Sequence, residues 1–436
     1  MATASSRRRG GVLSDPGVGD GCRVIPLSEF RAEAAEFLAA SGLPRRDDDE
    51  QVVWGAGELD VSVFHNLTPD EETALLGELK AWQRRKFQAG FGAITWGEEY
   101  GGRGLSAEHL DAFDQLESRY QTPRPHETFS VTQHLIAPTV RLLGTEAMRA
   151  ELIPAFLRGE QICCQLFSEP SAGSDLAALG TRAVREGDEW VINGQKVWSS
   201  GAQFSDWGKL ICRSDPALPK HAGMTAFMIP MDWPGVEVRP LRQMSGGSSF
   251  SEVFLTDVRL PDRYRIGDVG QGWKVALTTL GFERQAANNT AHVGGNWHQL
   301  LATAQWAGVL DDPFVRQDLA RAIVGERLGA VAVARDQAAR ESGQPMGAIG
   351  SVRMMQWVGR MLDVTAAARR ILGPRLVIDS GEWGTYVWGE HVLGAPGYRI
   401  AGGSDEIQRT IIAERWLGMP PEPRADKDIP WKDLPR

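Results

Sequence analysis

Between about residues 161 and 265 the apolar pattern alternates with a period of two, whereas on both sides of that window it repeats with a helical period. A chain patterned this way places helices first, short strands in the middle and helices again at the end. Strand candidates fall at 190–192, 209–212, 225–229, 236–239 and 252–255, punctuated by Gly and Pro, which suits a small barrel or sandwich. Before them, helices are expected over 26–42 with Ser28 as N-cap, from Thr68-Pro69-Asp70-Glu71 to near Gly90, and over about 107–120 and 145–158. After them, Asp312-Pro313 opens a helix with Leu319, Ile323 and Val331 on its apolar face, and 352–372 forms another, as in a bundle. The fold class is therefore α+β and multidomain. The expected divisions are a disordered tail over 1–22, an N-terminal α-helical domain over 23–160, a central β-domain over 161–268 and a C-terminal four-helix bundle over 269–436.

Within the β-region, the stretch 165–200 stands out. Phe167-Ser168-Glu169-Pro170-Ser171-Ala172-Gly173-Ser174-Asp175 gathers small residues, hydroxyls and a turn-forming proline, so backbone amides can approach a ligand closely. Asn193-Gly194 between alternating segments predicts a hairpin that ends in Trp198-Ser199-Ser200. A polar cradle feeding such a hairpin suits a flat, polar-rimmed ligand; a surface loop and hairpin of any β-rich domain is the plain alternative. The acidic run Asp47-Asp48-Asp49-Glu50 reads as a solvated loop.

A net charge of −9 argues against a nucleic-acid backbone as partner. Cys22, Cys163, Cys164 and Cys212 have no metal-ligand spacing, and no apolar run approaches membrane-spanning length. Ser6-Arg7-Arg8-Arg9 is not followed by an apolar segment, so it does not read as an export signal, and a cytoplasmic protein is expected. There is no phosphate-binding lysine loop and no Gly-x-Gly-x-x-Gly between a strand and a helix.

The residues 168–175 and Asn193-Gly194-Gln195-Lys196-Val197-Trp198-Ser199-Ser200 closely resemble the flavin-binding segment of the acyl-CoA dehydrogenases. The resemblance continues through Thr95-Trp96-Gly97-Glu98-Glu99-Tyr100-Gly101-Gly102-Arg103-Gly104-Leu105, with Gly97 where the family has proline. It extends to the strand 250–261 and to Gly270-Gln271-Gly272-Trp273. It implies the family's order of helical lobe, β-domain and helical bundle. It also implies FAD as cofactor, an acyl thioester (acyl-CoA or carrier-bound) as substrate, and an electron-transfer flavoprotein as acceptor. By position, Gln165, Leu166, Phe167, Ser168, Gly173, Ser174, Trp198, Ser199 and Ser200 match the flavin-lining segment. Ser404 and Glu406 match flavin contacts from the C-terminal segment.

Desaturation needs a base for the α-proton, a hydride acceptor and hydrogen bonds to the thioester carbonyl. In many members the base is a glutamate at the position that Gly402 occupies here; in others, similar to the isovaleryl-CoA branch, it sits on the first helix after the β-domain, where Glu283 falls. Glu283 follows Ala276 by seven residues and Leu280 by three and precedes Ala287 by four, so helical spacing places it on an apolar, small-residue stripe. Desolvation there would raise its pKa toward that of a useful base; a structural ion pair is the alternative role. By resemblance, Gly402 offers its backbone N–H to the carbonyl and leaves room for Glu283. Arg284 matches an arginine beside the site, or else makes a surface ion pair.

Two stretches depart from the family. Its Arg-x-x-Phe-Gly segment is replaced by Gln305-Trp306-Ala307-Gly308-Val309-Leu310, and its later glycine pair appears as Leu372-Gly373-Pro374. Both fall where a second subunit completes the flavin site, a pattern similar to bacterial members that act as one half of a heteromeric enzyme on bulky substrates such as steroid side chains. A homo- or hetero-oligomer is expected. The alternatives are a non-catalytic flavin- or acyl-binding subunit, and a related flavin oxidase that uses oxygen.

Overall fold

The computed structural model describes residues 25–46, 52–57, 59–286, 293–342, 348–424 and 426–434. The expected tail over 1–22, the acidic run at 47–50 and Ala287 lie outside them. The chain forms two compact units, residues 1–48 with 82–122, and residues 49–81 with 123–436.

In the first unit, helix α1 (Leu27–Ala40) and helix α3 (Ala107–Glu117) close on the C-terminal part of helix α2 (Pro69–Gln88). Phe30, Ala34 and Leu38 recur every four residues along α1 and pack with Trp82, Phe91, Ile94 and Phe113. Ser28 is not the N-cap. The cap is Pro26, whose carbonyl accepts the Phe30 N–H at 3.0 Å, and Ser28 lies inside the first turn. The start expected at Thr68 is present as a reciprocal capping box. The Glu71 carboxylate accepts the Thr68 N–H at 2.8 Å, and the Glu71 N–H donates to Thr68 Oγ1 at 3.4 Å.

The second unit opens its helices with α4 (Glu127–Ser130), a π-helical turn (Val131–Ile136), α5 (Ala137–Leu143) and α6 (Glu146–Leu157). Eight strands follow: β1 (Cys163–Leu166), β2 (Arg182–Glu186), β3 (Glu189–Ser200), β4 (Trp207–Arg213), β5 (Met224–Pro230), β6 (Val236–Leu241), β7 (Phe250–Pro261) and β8 (Arg265–Ile266). They form one sheet in the order β6-β7-β3-β2-β4-β5-β8, with β1 added parallel to β4. Leu166, Trp190, Ile192, Leu210, Phe227, Val253 and Leu260 fill its core.

Asn193-Gly194 is not a hairpin turn. β3 runs straight through it, and the chain reverses instead at Gly187-Asp188, between β2 and β3. The register with β7 slips between Ile192 and Gly194. Asn193 ties down that bulge, its Oδ1 accepting the Asp257 N–H at 2.9 Å and its Nδ2 donating to Asp257 Oδ1 at 3.0 Å. A Cβ on Gly194 would fall 2.7 Å from Thr181 Cα, so the glycine serves close backbone approach.

The C-terminal helices are α7 (Gly272–Ala286), α8 (Trp297–Trp306), α9 (Pro313–Glu341), α10 (Ile349–Leu372), α11 (Val387–Gly394) and α12 (Asp405–Arg415). Asp312 Oδ1 caps α9 by accepting the Phe314 N–H at 2.7 Å. On α9 the buried stripe is Val315, Leu319 and Ala322, packed on Leu300, Val364, Ile371 and Trp388. Val331, expected on that face, is exposed together with Val324 and Leu328. Among the described residues no helix is long and apolar enough to cross a membrane.

Candidate active site

The cradle is assembled where β1 ends and β3 ends. The Val197 N–H donates to the Ser168 carbonyl at 2.9 Å, which sets Phe167-Ser168 beside Trp198-Ser199-Ser200. Beneath this join lies a buried ion pair. Lys196, with no exposed side chain, donates to Glu169 Oε1 at 2.8 Å and to the Phe167 carbonyl at 3.0 Å. The other demands on Glu169 are the Gly180 N–H at 2.7 Å and the Thr181 N–H at 2.9 Å. Burial raises the Glu169 pKa, but the Lys196 charge and these donors outweigh it and hold the carboxyl below its ordinary value. The expected loop therefore exists, and this pair shapes it.

The matched residues do not all face one way. Phe167 and Ser199 are buried, Gln165, Ser168 and Ser200 are half-buried, and Gly173 and Ser174 are exposed. Leu166 contributes backbone only, because its side chain belongs to the β-core. Trp198 sits at φ +60°, a conformation uncommon for a large side chain, which turns its indole outward to 59% exposure. Ser199 Oγ is buried without a hydrogen-bond partner among the described residues.

Glu283 stands on α7 and Gly402 precedes α12, and the fold brings them together. A Cβ on Gly402 would lie 3.3 Å from Glu283 Oε1 and 3.5 Å from Met354 Cε. Gly402 adopts φ +66°, which favours glycine, and its carbonyl accepts from Gln408 Nε2 at 2.7 Å. Gly402→Ala is thus expected to crowd the carboxylate and strain the backbone. We expect kcat/KM to fall roughly 10- to 100-fold, as for a misplacement of about an ångström, while the melting temperature drops by a few degrees. Steady-state kinetics and a thermal scan check this. Arg284 follows Glu283 in the last turn of α7, with its side chain outside the described residues. Ser404 caps α12, its Oγ accepting the Ile407 N–H at 3.4 Å, whereas the Glu406 side chain is 76% exposed and makes only a 4.0 Å contact with Arg409 among the described residues.

Several neighbours escape sequence reading. Tyr398 donates to Glu127 Oε1 at 3.3 Å, and Ser200 also bonds that carboxyl. Burial raises the Glu127 pKa, only partly offset by His126, Tyr398 and Ser200. Tyr398 stacks on Phe64 and meets Trp357 edge-on. Nothing in the local pattern around Glu127 marks it. Lys209 did carry a signal, a lysine within the apolar run of β4. His65, Glu72 and His126 also converge. The Thr128 N–H donates to His126 Nδ1 at 3.2 Å, so His126 Nε2 carries the proton that Glu72 accepts at 2.8 Å. That trio centres on the buried Glu72 carboxylate, which accepts from His126 and lies 3.6 Å from His65 Nε2.

Three family descriptions match in succession: acyl-CoA dehydrogenase N-terminal domain over residues 69–160, middle domain over 164–258 and C-terminal domain over 270–417. The chain belongs to the acyl-CoA dehydrogenase family, which makes it a flavin-dependent oxidoreductase acting on acyl-CoA. It is 36% identical to acyl-CoA dehydrogenase IpdE1 of Mycobacterium tuberculosis (strain ATCC 25618 / H37Rv), over 82% of this chain and 92% of that one. It is 32% identical to the protein of the same name from Mycolicibacterium smegmatis, over 92% and 99%. Among solved structures it resembles the Tcur3481-Tcur3483 steroid ACAD, with TM-score 0.70, 27% identity and coverage of 91% and 98%. It also resembles the ChsE4-ChsE5 complex from Mycobacterium tuberculosis, with TM-score 0.68, 25% identity and coverage of 92% and 100%.

Proposed function

We propose that this enzyme desaturates an acyl-CoA at Cα–Cβ with Glu283 as the base that takes the α-proton. The observation that carries this reading is the Glu283 carboxylate seated against a glycine with no side chain, 3.3 Å from where a Cβ would be. Gly402 leaves that space for the carboxylate and offers its backbone N–H to the thioester carbonyl, stabilising charge as the proton leaves. The cradle fits the flat, polar-rimmed isoalloxazine of FAD: it offers an outward indole at Trp198, a half-buried Ser168 and Ser200, and an open approach at Gly173. Bound FAD supplies the two-electron acceptor that no side chain can provide. An electron-transfer flavoprotein is the proposed oxidant of the reduced enzyme, and buried reduced thiols at Cys163, Cys164 and Cys212 support a cytoplasmic location.

A second feature favours action as one part of a hetero-oligomer. Trp306 lies within the segment that replaces the family's arginine motif, and it stacks on Trp54 at 4.3 Å, so this stretch builds the core of its own unit. The exposed Val324, Leu328 and Val331 form an apolar stripe on α9 suited to another subunit. The similar two-protein enzymes, one of them a steroid ACAD, favour a partner chain and a bulky ring-bearing acyl group. The test is to purify the chain alone and with candidate partner chains, then record visible spectra before and after adding straight, branched and ring-bearing acyl-CoAs. Flavin bleaching by a ring-bearing thioester, only with a partner present, is the expected result. Bleaching of the lone chain by short straight thioesters would overturn the heteromeric reading.

A further inference from the structure

Strand β4 carries a lysine inside an apolar run. Trp207, Gly208, Leu210, Ile211 and Cys212 are buried, and so is Lys209, with none of its surface exposed. Its register partner is Gln165 on β1, and it alternates with Leu210, whose side chain fills the β-core. Lys209 therefore points away from that core, toward α7, which packs on β4 and β5. There Nζ donates to Thr279 Oγ1 and stands 4.7 Å from the centroid of the Phe167 ring. Thr279 precedes Glu283 by one helical turn, so both occupy one face of α7.

The groups that face the ammonium can be named element by element. From β1 comes Cys163, whose thiol burial pushes well above its ordinary pKa, and from α7 comes the Glu283 carboxylate. Thr279 on α7, itself bonded to Thr139 of α5 at 2.9 Å, offers a neutral hydroxyl. Met228, opposite Lys209 on β5, carries no charge. A buried ammonium is costly unless something uses its charge, and the carboxylate acting on this one is the candidate base.

We propose that Lys209 is a positioning residue for Glu283: its ammonium, held by Thr279 one helical turn before Glu283 and by the Phe167 ring, favours the ionised form of that carboxylate. The inference rests on the reading of Glu283 as the base. Burial pushes Lys209 itself down to about 7, with Cys163 and Glu283 pulling the other way. The field on Glu283 is accordingly present below about pH 7 and fades as the pH rises past it.

The experiment compares wild type, K209M, K209R and E283Q as flavin-loaded enzymes. Two quantities are read: the pH profile of kcat/KM, and the titration midpoint of the infrared carboxyl band that is missing from E283Q. In K209M the midpoint and the acid limb should both rise by about one unit. On the acid limb its kcat/KM should fall by up to about tenfold below wild type, and the two should converge once the carboxylate is ionised in both; K209R should move the midpoint back toward wild type. An unshifted midpoint in folded, flavin-loaded K209M overturns the inference, and if E283Q is inactive the base assignment survives that result. If E283Q keeps wild-type turnover, the base assignment falls and the positioning role falls with it.

Discussion

Glu283→Gln is expected to retain bound flavin and fold while losing about 10²–10⁴-fold in turnover, the contribution typical of a general base. Glutamine has nearly the same shape, so it fills the same space beside Gly402 and leaves the cradle around Trp198 and Ser200 untouched. What disappears is the ability to accept a proton. The visible spectrum of the purified variant should match wild type, and substrate-dependent bleaching should be absent on the wild-type timescale. Bleaching at an unchanged rate would remove Glu283 from the mechanism. Moving the carboxylate to position 402 is not a simple remedy, because φ +66° there costs a residue with a Cβ about 1–2 kcal/mol. The proposed base stands on α7, and the loop before α12 is built for glycine.

Much of this was legible in the sequence because it rests on period and punctuation. The change of period around residues 161 and 265 gave the order of helices, sheet and helices, and Thr68-Pro69 and Asp312-Pro313 marked helix starts through short-range capping chemistry. Glu283 is proposed from helical spacing combined with resemblance. The Asn193-Gly194 turn was misread because a glycine admits two explanations, positive φ or close packing. Only the neighbour at Thr181, thirteen residues before Gly194 and across the sheet, decides between them. Glu127 and Tyr398 lie 271 positions apart and meet only in the fold. Val331 was assigned inward because α9 carries two apolar stripes, and a single helix does not declare which stripe its own unit covers.

The largest expected loss of stability lies under the cradle. Lys196→Met leaves Glu169 buried with its two backbone donors but without its counter-charge, and Glu169→Ala leaves an ammonium with only the Phe167 carbonyl. Either single change should cost about 3–5 kcal/mol, the usual penalty for orphaning one member of a buried pair. The double variant Glu169→Gln with Lys196→Met should lose less than the sum, because neither charge is then stranded. The pH dependence has a definite sign. The Glu169 carboxyl is held below its ordinary pKa in the folded protein, so its contribution is fully present above the unfolded value of about 4.3 and is lost progressively as the pH falls below that value and through the lower folded one. Urea melts from pH 7 down to about pH 2 should therefore show a steeper acid loss in wild type than in the double variant. The loss should include the flavin spectrum, since the same pair fixes Phe167-Ser168 against Trp198-Ser200. Parallel acid limbs in the two proteins would mean that the pair contributes no net charge stabilisation, and that the loop is held by its backbone hydrogen bonds alone.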